Sequence, residues 1–144
     1  MGHIRNIPTG LFFGKSSRET NDKERSVGAS FKDLVVWQRA VQLSLEIYRL
    51  TAAFPPAEKF GLTSQMRRAA VSIASNIAED YGKSTKGEYV QFLGHARGSL
   101  CELQTQQIIA EALGLGIKKT HEPVEKLSAD VSRMLIALMN RLRE

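Results

Sequence analysis

Two short stretches of the chain carry the letters of a phosphate-binding loop. Residues 82–85 read Gly-Lys-Ser-Thr, and residues 14–16 read Gly-Lys-Ser. In a true loop of this kind, a glycine five residues earlier lets backbone amides approach the phosphate. Those positions hold Ile77 and Thr9, and a helical pattern precedes residue 82. We therefore predict no nucleotide-binding loop.

The sequence also lacks the residue patterns of a metal site and of a catalytic nucleophile. Di-iron helix bundles use Glu-x-x-His pairs, and Cys101 has no zinc ligands at the required spacing, so we predict it to be a small core residue. His95 is about 120° from Cys101 around a helix, which disfavours a catalytic pair. We expect no enzymatic activity, metal, cofactor or small-molecule substrate. Three residues after Glu79, Glu88, Glu102 and Glu111 stand Gly82, Gln91, Thr105 and Gly114, none of them histidine.

Adjacent arginines, Arg67 and Arg68, fall in the first turns of a predicted helix. The helix dipole disfavours a cation there by about 0.3 to 1 kcal/mol, so each arginine needs a partner. We favour a structural ion pair with Glu102 of the following helix, with Glu58 also nearby in the chain. Phosphate binding by the two arginines is the alternative.

Composition places the chain among globular proteins with one domain. It has 144 residues, of which 42% are hydrophobic and 24% are charged, and no apolar run approaches the ~20 residues of a membrane span. The N-terminal residues lack the apolar core of a secretory signal. The single Cys101 forms no internal disulfide, so we expect a cytoplasmic protein.

The N-terminal thirty residues differ from the rest. Residues 1–30 mix glycines, a proline and charges of both signs without helical or strand periodicity, which predicts a flexible arm. A basic arm that reaches a polyanion is the alternative. The formal net charge is +5 for the whole chain, and residues 31–144 carry about +3 of it, a weak hint of nucleic-acid binding.

Residues 31–144 carry the spacing of four amphipathic helices and no strand signal. Phe54-Pro55-Pro56 ends the first helix because proline cannot donate to the helical ladder. Thr85 and Glu88 form a capping-box pattern at the start of the third, and Pro123 is expected in the first turn of the fourth. We place the first helix at about 33–53, the second from about residue 63 to Tyr81 or Lys83, the third at about 85–114, and the fourth from just after Thr120 through Leu142. Short connections predict an all-α, antiparallel up-down-up-down four-helix bundle.

Small residues dominate the second predicted helix and recur in the third. If the two helices fold about residues 84–85, Ser75 faces Gly94 and Val71 faces Gly98. A helical glycine costs about 1 kcal/mol relative to alanine, which close backbone approach offsets. We expect Asn76 to bond backbone or a neighbouring side chain. The predicted helix-packing or subunit-interface residues are Ser72, Ser75, Asn76, Gly94 and Gly98.

Several blocks of the sequence, in order, resemble one family. The resemblance covers nearly all of residues 31–143 and indicates the small four-helix bundle proteins encoded within intervening sequences of bacterial 23S rRNA genes. It implies a homopentameric barrel, no enzymatic activity, and a distant relationship to the accessory variability protein of diversity-generating retroelements, a basic pentamer associated with a reverse transcriptase and nucleic acid. Asp80 departs from the family's usual glycine. The first blocks are FKDLVVWQRA at residues 31–40, FP at 54–55, Glu58 and FGL at 60–62. The later blocks are QMRRAA at 65–70, SI at 72–73, NIAE at 76–79, FL at 92–93, Ala96 and GSLCEL at 98–103.

Two functions fit these observations. The first is a non-enzymatic ring that binds RNA or a nucleic-acid-handling partner, because five copies near +3 total about +15 and attract a polyanion. The second is a protein-only adaptor ring whose charge serves solubility. The candidate nucleic-acid-binding residues are Arg67, Arg68, Lys83, Lys86, Arg97, Lys118 and Lys119.

Overall fold

A computed structural model describes residues 30–79, 81–82 and 85–144 and shows an all-α chain. The predicted arm, apart from Ser30, lies outside the described residues. Within the described part there is no strand, and two short 3-10 turns, Phe31–Asp33 and Pro56–Glu58, precede the first two helices. The four predicted α-helices are confirmed: α1 is Val35–Ala52, α2 is Leu62–Ala78, α3 is Lys86–Ala112 and α4 is Lys118–Arg143.

Each helix packs against two others. Helix α1 contacts α2 and α4, and α3 contacts the same two helices. The shared interior is apolar, and each fully buried aliphatic side chain contributes about 1.5 to 3 kcal/mol relative to an exposed one. No described helix is long and apolar enough to cross a membrane. The largest fully buried side chains include Leu43, Ile47, Met66, Ile73, Leu93, Leu100, Leu103 and Leu135.

Two hydrogen bonds fix how α2 and α3 lie along each other. The Tyr89 hydroxyl donates to the Ile77 carbonyl at 2.8 Å, and the hydroxyls of Ser72 and Ser99 are 3.0 Å apart. A later residue of α3 thus meets an earlier residue of α2. The predicted register of these helices is confirmed to within about one turn.

The end of α2 comes earlier than predicted. The helix was expected to reach Tyr81 or Lys83, but it ends at Ala78, where Glu79 adopts an extended backbone with ψ of 129°. Tyr89 supplies the reason, because its hydroxyl satisfies a carbonyl in the last turn of α2. Its ring also packs edge-on against Tyr81, with 5.8 Å between the centroids. These contacts replace another helical turn.

The start of α4 is also earlier than predicted. The helix begins at Lys118, so Pro123 stands in its second turn instead of its first. The Thr120 side chain accepts from the Ile117 backbone at 3.3 Å and donates to the Ile117 carbonyl at 2.9 Å, which stabilises the new start. The proline leaves the Lys119 carbonyl without its helical donor, a loss that the helix tolerates near its beginning.

A buried histidine closes the connection between α3 and α4. His121 is 2% exposed; its Nε2 lies 2.7 Å from the Leu115 carbonyl and its Nδ1 lies 3.0 Å from the Gln107 amide nitrogen. Since a carbonyl only accepts, Nε2 donates and Nδ1 accepts from Gln107. Gly116 has φ of +73° and no side chain, so the backbone of the connection can lie close to the His121 ring.

Candidate functional site

A fixed arginine lies on the outer surface where α1 meets α2. The Arg67 guanidinium carbon lies 4.4 Å from the centroid of the Tyr48 ring, and its Nε donates to the Thr51 hydroxyl at 2.9 Å. Thr51 is 2% exposed and donates in turn to the Ile47 carbonyl at 2.7 Å. A buried network of α1 thus holds the arginine of α2 in place.

This arginine borders a depression on the described surface. The depression is open and has a volume of about 450 Å³; it is lined by Tyr48, Arg67, Arg68, Val71 and Ser72. Val71 is 46% exposed and Tyr48 is 36% exposed. Cationic and apolar groups therefore share one wall, an arrangement that suits an anionic group attached to an apolar surface.

The predicted ion pair of Arg67 or Arg68 with Glu102 is not formed within the described chain, a correction to the sequence-based expectation. Arg67 turns toward α1 and bonds Thr51, Arg68 is exposed, and the exposed Glu102 accepts from Gln106 at 3.2 Å. The two helices place these residues at similar heights. Their side chains leave the helices in different directions, which the linear register does not specify.

Small polar residues join α2 to α3. Asn76 Nδ2 donates to the Ser72 carbonyl at 2.9 Å and to the Ser72 hydroxyl at 3.0 Å, as the interpretation of Asn76 required. The Ser72 hydroxyl continues to Ser99. Ser75 is exposed and takes no part in this network.

The glycines of α3 do not pack against α2 as predicted. A methyl group added at Gly98 would meet no other described atom within 4 Å, and one added at Gly94 would first meet the Met139 methyl of α4 at 4.0 Å. The contact between α2 and α3 passes through serine hydroxyls instead. Close backbone approach within the described chain therefore does not explain Gly98.

The outer side of α3 is apolar as well as exposed. Ile108 is 64% exposed, Ile109 45% and Leu113, just after the helix, 63%. Cys101 is also exposed, so its predicted core position is wrong; it projects from the side of α3 opposite the core. We call the exposed residues Gly98, Cys101, Glu102, Thr105, Ile108, Ile109 and Ala112 the α3 outer face.

The candidate cations are spread over the molecule. Lys86 begins α3 and Lys118 and Lys119 begin α4, while Arg97 is exposed in the middle of α3. Lys83 lies outside the described residues. Among the candidate cations that the structure describes, Arg67 and Arg68 line one depression, so sequence reasoning named the cations without finding a single basic patch.

The described residues contain no cluster of three or more potential metal ligands. His95 is exposed and its ring packs edge-on against Phe92, with centroids 6.1 Å apart. His121 uses both ring nitrogens in buried hydrogen bonds. These two histidines therefore take part in packing, and the surface depression at Arg67 is the strongest candidate site.

Comparison with known proteins identifies one family. The family model described as 23S rRNA-intervening sequence protein matches residues 32–137, from the first turn before α1 to the last quarter of α4. No curated protein matches the chain at a significant level. The match covers α1 and α2, which line the depression, α3 with its outer face, and most of α4.

Proposed function

Because this chain belongs to the 23S rRNA-intervening sequence protein family, we propose that it is a non-enzymatic helical module that assembles into a ring and binds RNA or a nucleic-acid-handling partner. The subunit is an antiparallel up-down-up-down bundle, and five copies form a barrel in the cytoplasm. Each copy contributes a small positive charge, and the ring multiplies it.

The observation that carries the proposal is the α3 outer face. Ile108 and Ile109 stand in water in a single chain, although α3 already buries residues such as Leu93, Leu100 and Leu103 on its inner side. A helix that is apolar on two sides needs a second partner. Another copy of the same chain is the proposed partner, because it is present wherever the protein is made.

Nucleic-acid binding is supported by charge. Residues 31–144 carry about +3, and the exposed Arg68, Lys86, Arg97, Lys118 and Lys119 make no ion pair within 4.0 Å in the described part of the chain. A single copy attracts a polyanion only weakly. Fivefold repetition gives a field strong enough to hold a phosphate backbone and to be screened by salt.

The test is retention of the assembled protein on a structured RNA across a salt series. We expect binding at low ionic strength and a steep loss as salt rises, because each phosphate contact releases counterions. Substitution of Lys118 and Lys119 by glutamine is expected to reduce the slope, with no change in assembly. An assembled protein that ignores RNA at low salt would contradict the nucleic-acid part of the proposal.

A protein-only adaptor ring is the second candidate, and the dispersion of the cations favours it. Lys86 lies at the start of α3, and Lys118 and Lys119 lie at the start of α4. This is an unusual arrangement for residues that bind one continuous phosphate backbone. Under this alternative, partner retention survives nuclease treatment. Complete release of the partner by nuclease would show that RNA connects the ring to the partner, and would support the first proposal.

A further inference from the structure

Arg67 offers a hydrogen-bonding edge that the described chain does not use. Its Nε donates to Thr51 and its guanidinium carbon lies over the Tyr48 ring, but its two terminal nitrogens bond no group in residues 30–79, 81–82 or 85–144. Those nitrogens form the fork that donates paired hydrogen bonds to a carboxylate or a phosphate. Because the side chain is already fixed, binding an anion there loses little additional conformational entropy.

The surroundings of this fork favour an acidic side chain on a protein surface over a phosphate backbone. Val71 and Tyr48 line the same depression and remain substantially exposed. A phosphodiester would leave that apolar surface in water. A helix that presents one carboxylate among small and apolar side chains would cover it.

The α2–α3 hydrogen bonds indicate which carboxylate lies at the right height. Counting back from Ser72 to Arg67, and forward equally from Ser99, reaches residue 104 of α3. The same count from Ile77 and Tyr89 reaches residue 99. Glu102 is the only acidic residue between these limits.

Glu102 is exposed and forms no ion pair with Arg67 within the described residues. It is exposed on the α3 outer face, where the buried Gln106 donates to its Oε1 at 3.2 Å. Gly98, Cys101 and Thr105 flank it with little bulk. Residues 98–112 hold Glu102 and Glu111 and no lysine or arginine, so this stretch is complementary in charge to Arg67 and Arg68.

We infer that Arg67 binds the carboxylate of Glu102 of the partner subunit, with the α3 outer face of one copy covering the depression between α1 and α2 of the next. The inference rests on the ring assembly proposed above and identifies its contact. In a ring whose axis runs along the bundle, groups at equal heights on neighbouring copies meet. The two surfaces differ, so the contact is head-to-tail and a closing rotation produces a ring.

Charge reversal tests this contact on the full-length chain. Arg67→Glu, Glu102→Arg, the double variant and the control Arg133→Glu on α4 are compared by sedimentation velocity across a concentration series, with helicity checked by circular dichroism. We expect each interface reversal to raise the dissociation constant of assembly at least about tenfold. The double variant should recover most of the wild-type affinity, and the control should match wild type.

The outcomes separate this inference from the proposed function. Wild-type protein that is monomeric would overturn both. Assembly that withstands both single reversals, or an Arg67→Glu defect that Glu102→Arg fails to rescue, would overturn only the contact. Normal assembly with lost RNA retention in Arg67→Glu would overturn it in favour of a phosphate contact. If Arg67→Glu fails to fold, the exposed Glu102→Arg substitution alone still decides the question.

Discussion

The Tyr89 hydroxyl donates a hydrogen bond to the Ile77 carbonyl at 2.8 Å, so a side chain of α3 completes the last turn of α2. Tyr89 is 8% exposed and Ile77 is fully buried. The bond joins the two helices next to the connection between them. It also sets the height of α3 along α2, on which the position of Glu102 relative to Arg67 depends.

Replacing Tyr89 with phenylalanine should destabilise the folded chain by about 1 to 3 kcal/mol, because the Ile77 carbonyl then lacks its partner. The ring and its packing against Tyr81 remain. Chemical denaturation measures the difference in the free energy of unfolding. Equal stability of the variant and wild type would show that water replaces the hydroxyl at no cost.

The same residue predicts a loss of stability in alkaline solution. Burial raises the pKa of Tyr89 from 10.0 to about 12, and the neighbouring Tyr81 adds to the increase. A raised pKa in the folded state means that Tyr89 contributes stability below pH 10.0, and that this contribution falls until about pH 12. The difference in unfolding free energy between wild type and Tyr89→Phe should therefore shrink over this range; a constant difference would contradict the prediction.

Two glycines in the α3–α4 connection provide a matched pair. Gly114 and Gly116 have φ of +72° and +73°, so alanine is strained at either position by about 1 kcal/mol. A methyl group at Gly116 would also lie 2.6 Å from a Leu50 methyl and 3.1 Å from His121 Nε2, whereas at Gly114 it meets no described atom within 4 Å.

Gly116→Ala is consequently expected to cost about 2 to 4 kcal/mol, against about 1 for Gly114→Ala. Thermal unfolding of the two variants measures the gap. Similar melting temperatures would mean that Leu50 and His121 move aside without loss.

Substitutions at Gly98 test whether the α3 outer face packs against another copy of the chain, as proposed. Since nothing described lies above it, Gly98→Ala should raise the intrinsic stability of the helix by about 0.5 to 1 kcal/mol. Gly98→Leu should keep the helicity but reduce assembly, because leucine separates the proposed faces. Ala129→Leu, at an exposed site of α4, is the control for added bulk. A normal assembled mass for Gly98→Leu would place this glycine outside the interface.

The sequence predicts the four helices well because local rules determine them. Apolar residues at helical spacing, the prolines after Phe54 and the capping box at Thr85 mark most of the boundaries. The end of α2 was missed because a distant side chain, Tyr89, determines it. The start of α4 was missed because Thr120 stabilises an earlier turn. The helix therefore begins before the predicted position and tolerates Pro123 further inside.

The candidate site is only half predictable, and Arg67 shows why. Register arithmetic gives heights along paired helices, so it correctly places Glu102 level with this arginine. It does not give the direction in which each side chain leaves its helix, and Arg67 turns toward Tyr48 and Thr51 instead. The second apolar face of α3 could have been found from the sequence, because Cys101, Ile108 and Ile109 lie on one side of a helix.

Mass in solution at micromolar concentration tests whether another copy of the chain covers the α3 outer face. We expect an assembled species, with five copies of the 16.0 kDa chain as the proposed state. We also expect Ile108→Asp to dissociate this species while helicity is retained. A wild-type protein that stays at the mass of one chain would show that no other copy covers this face.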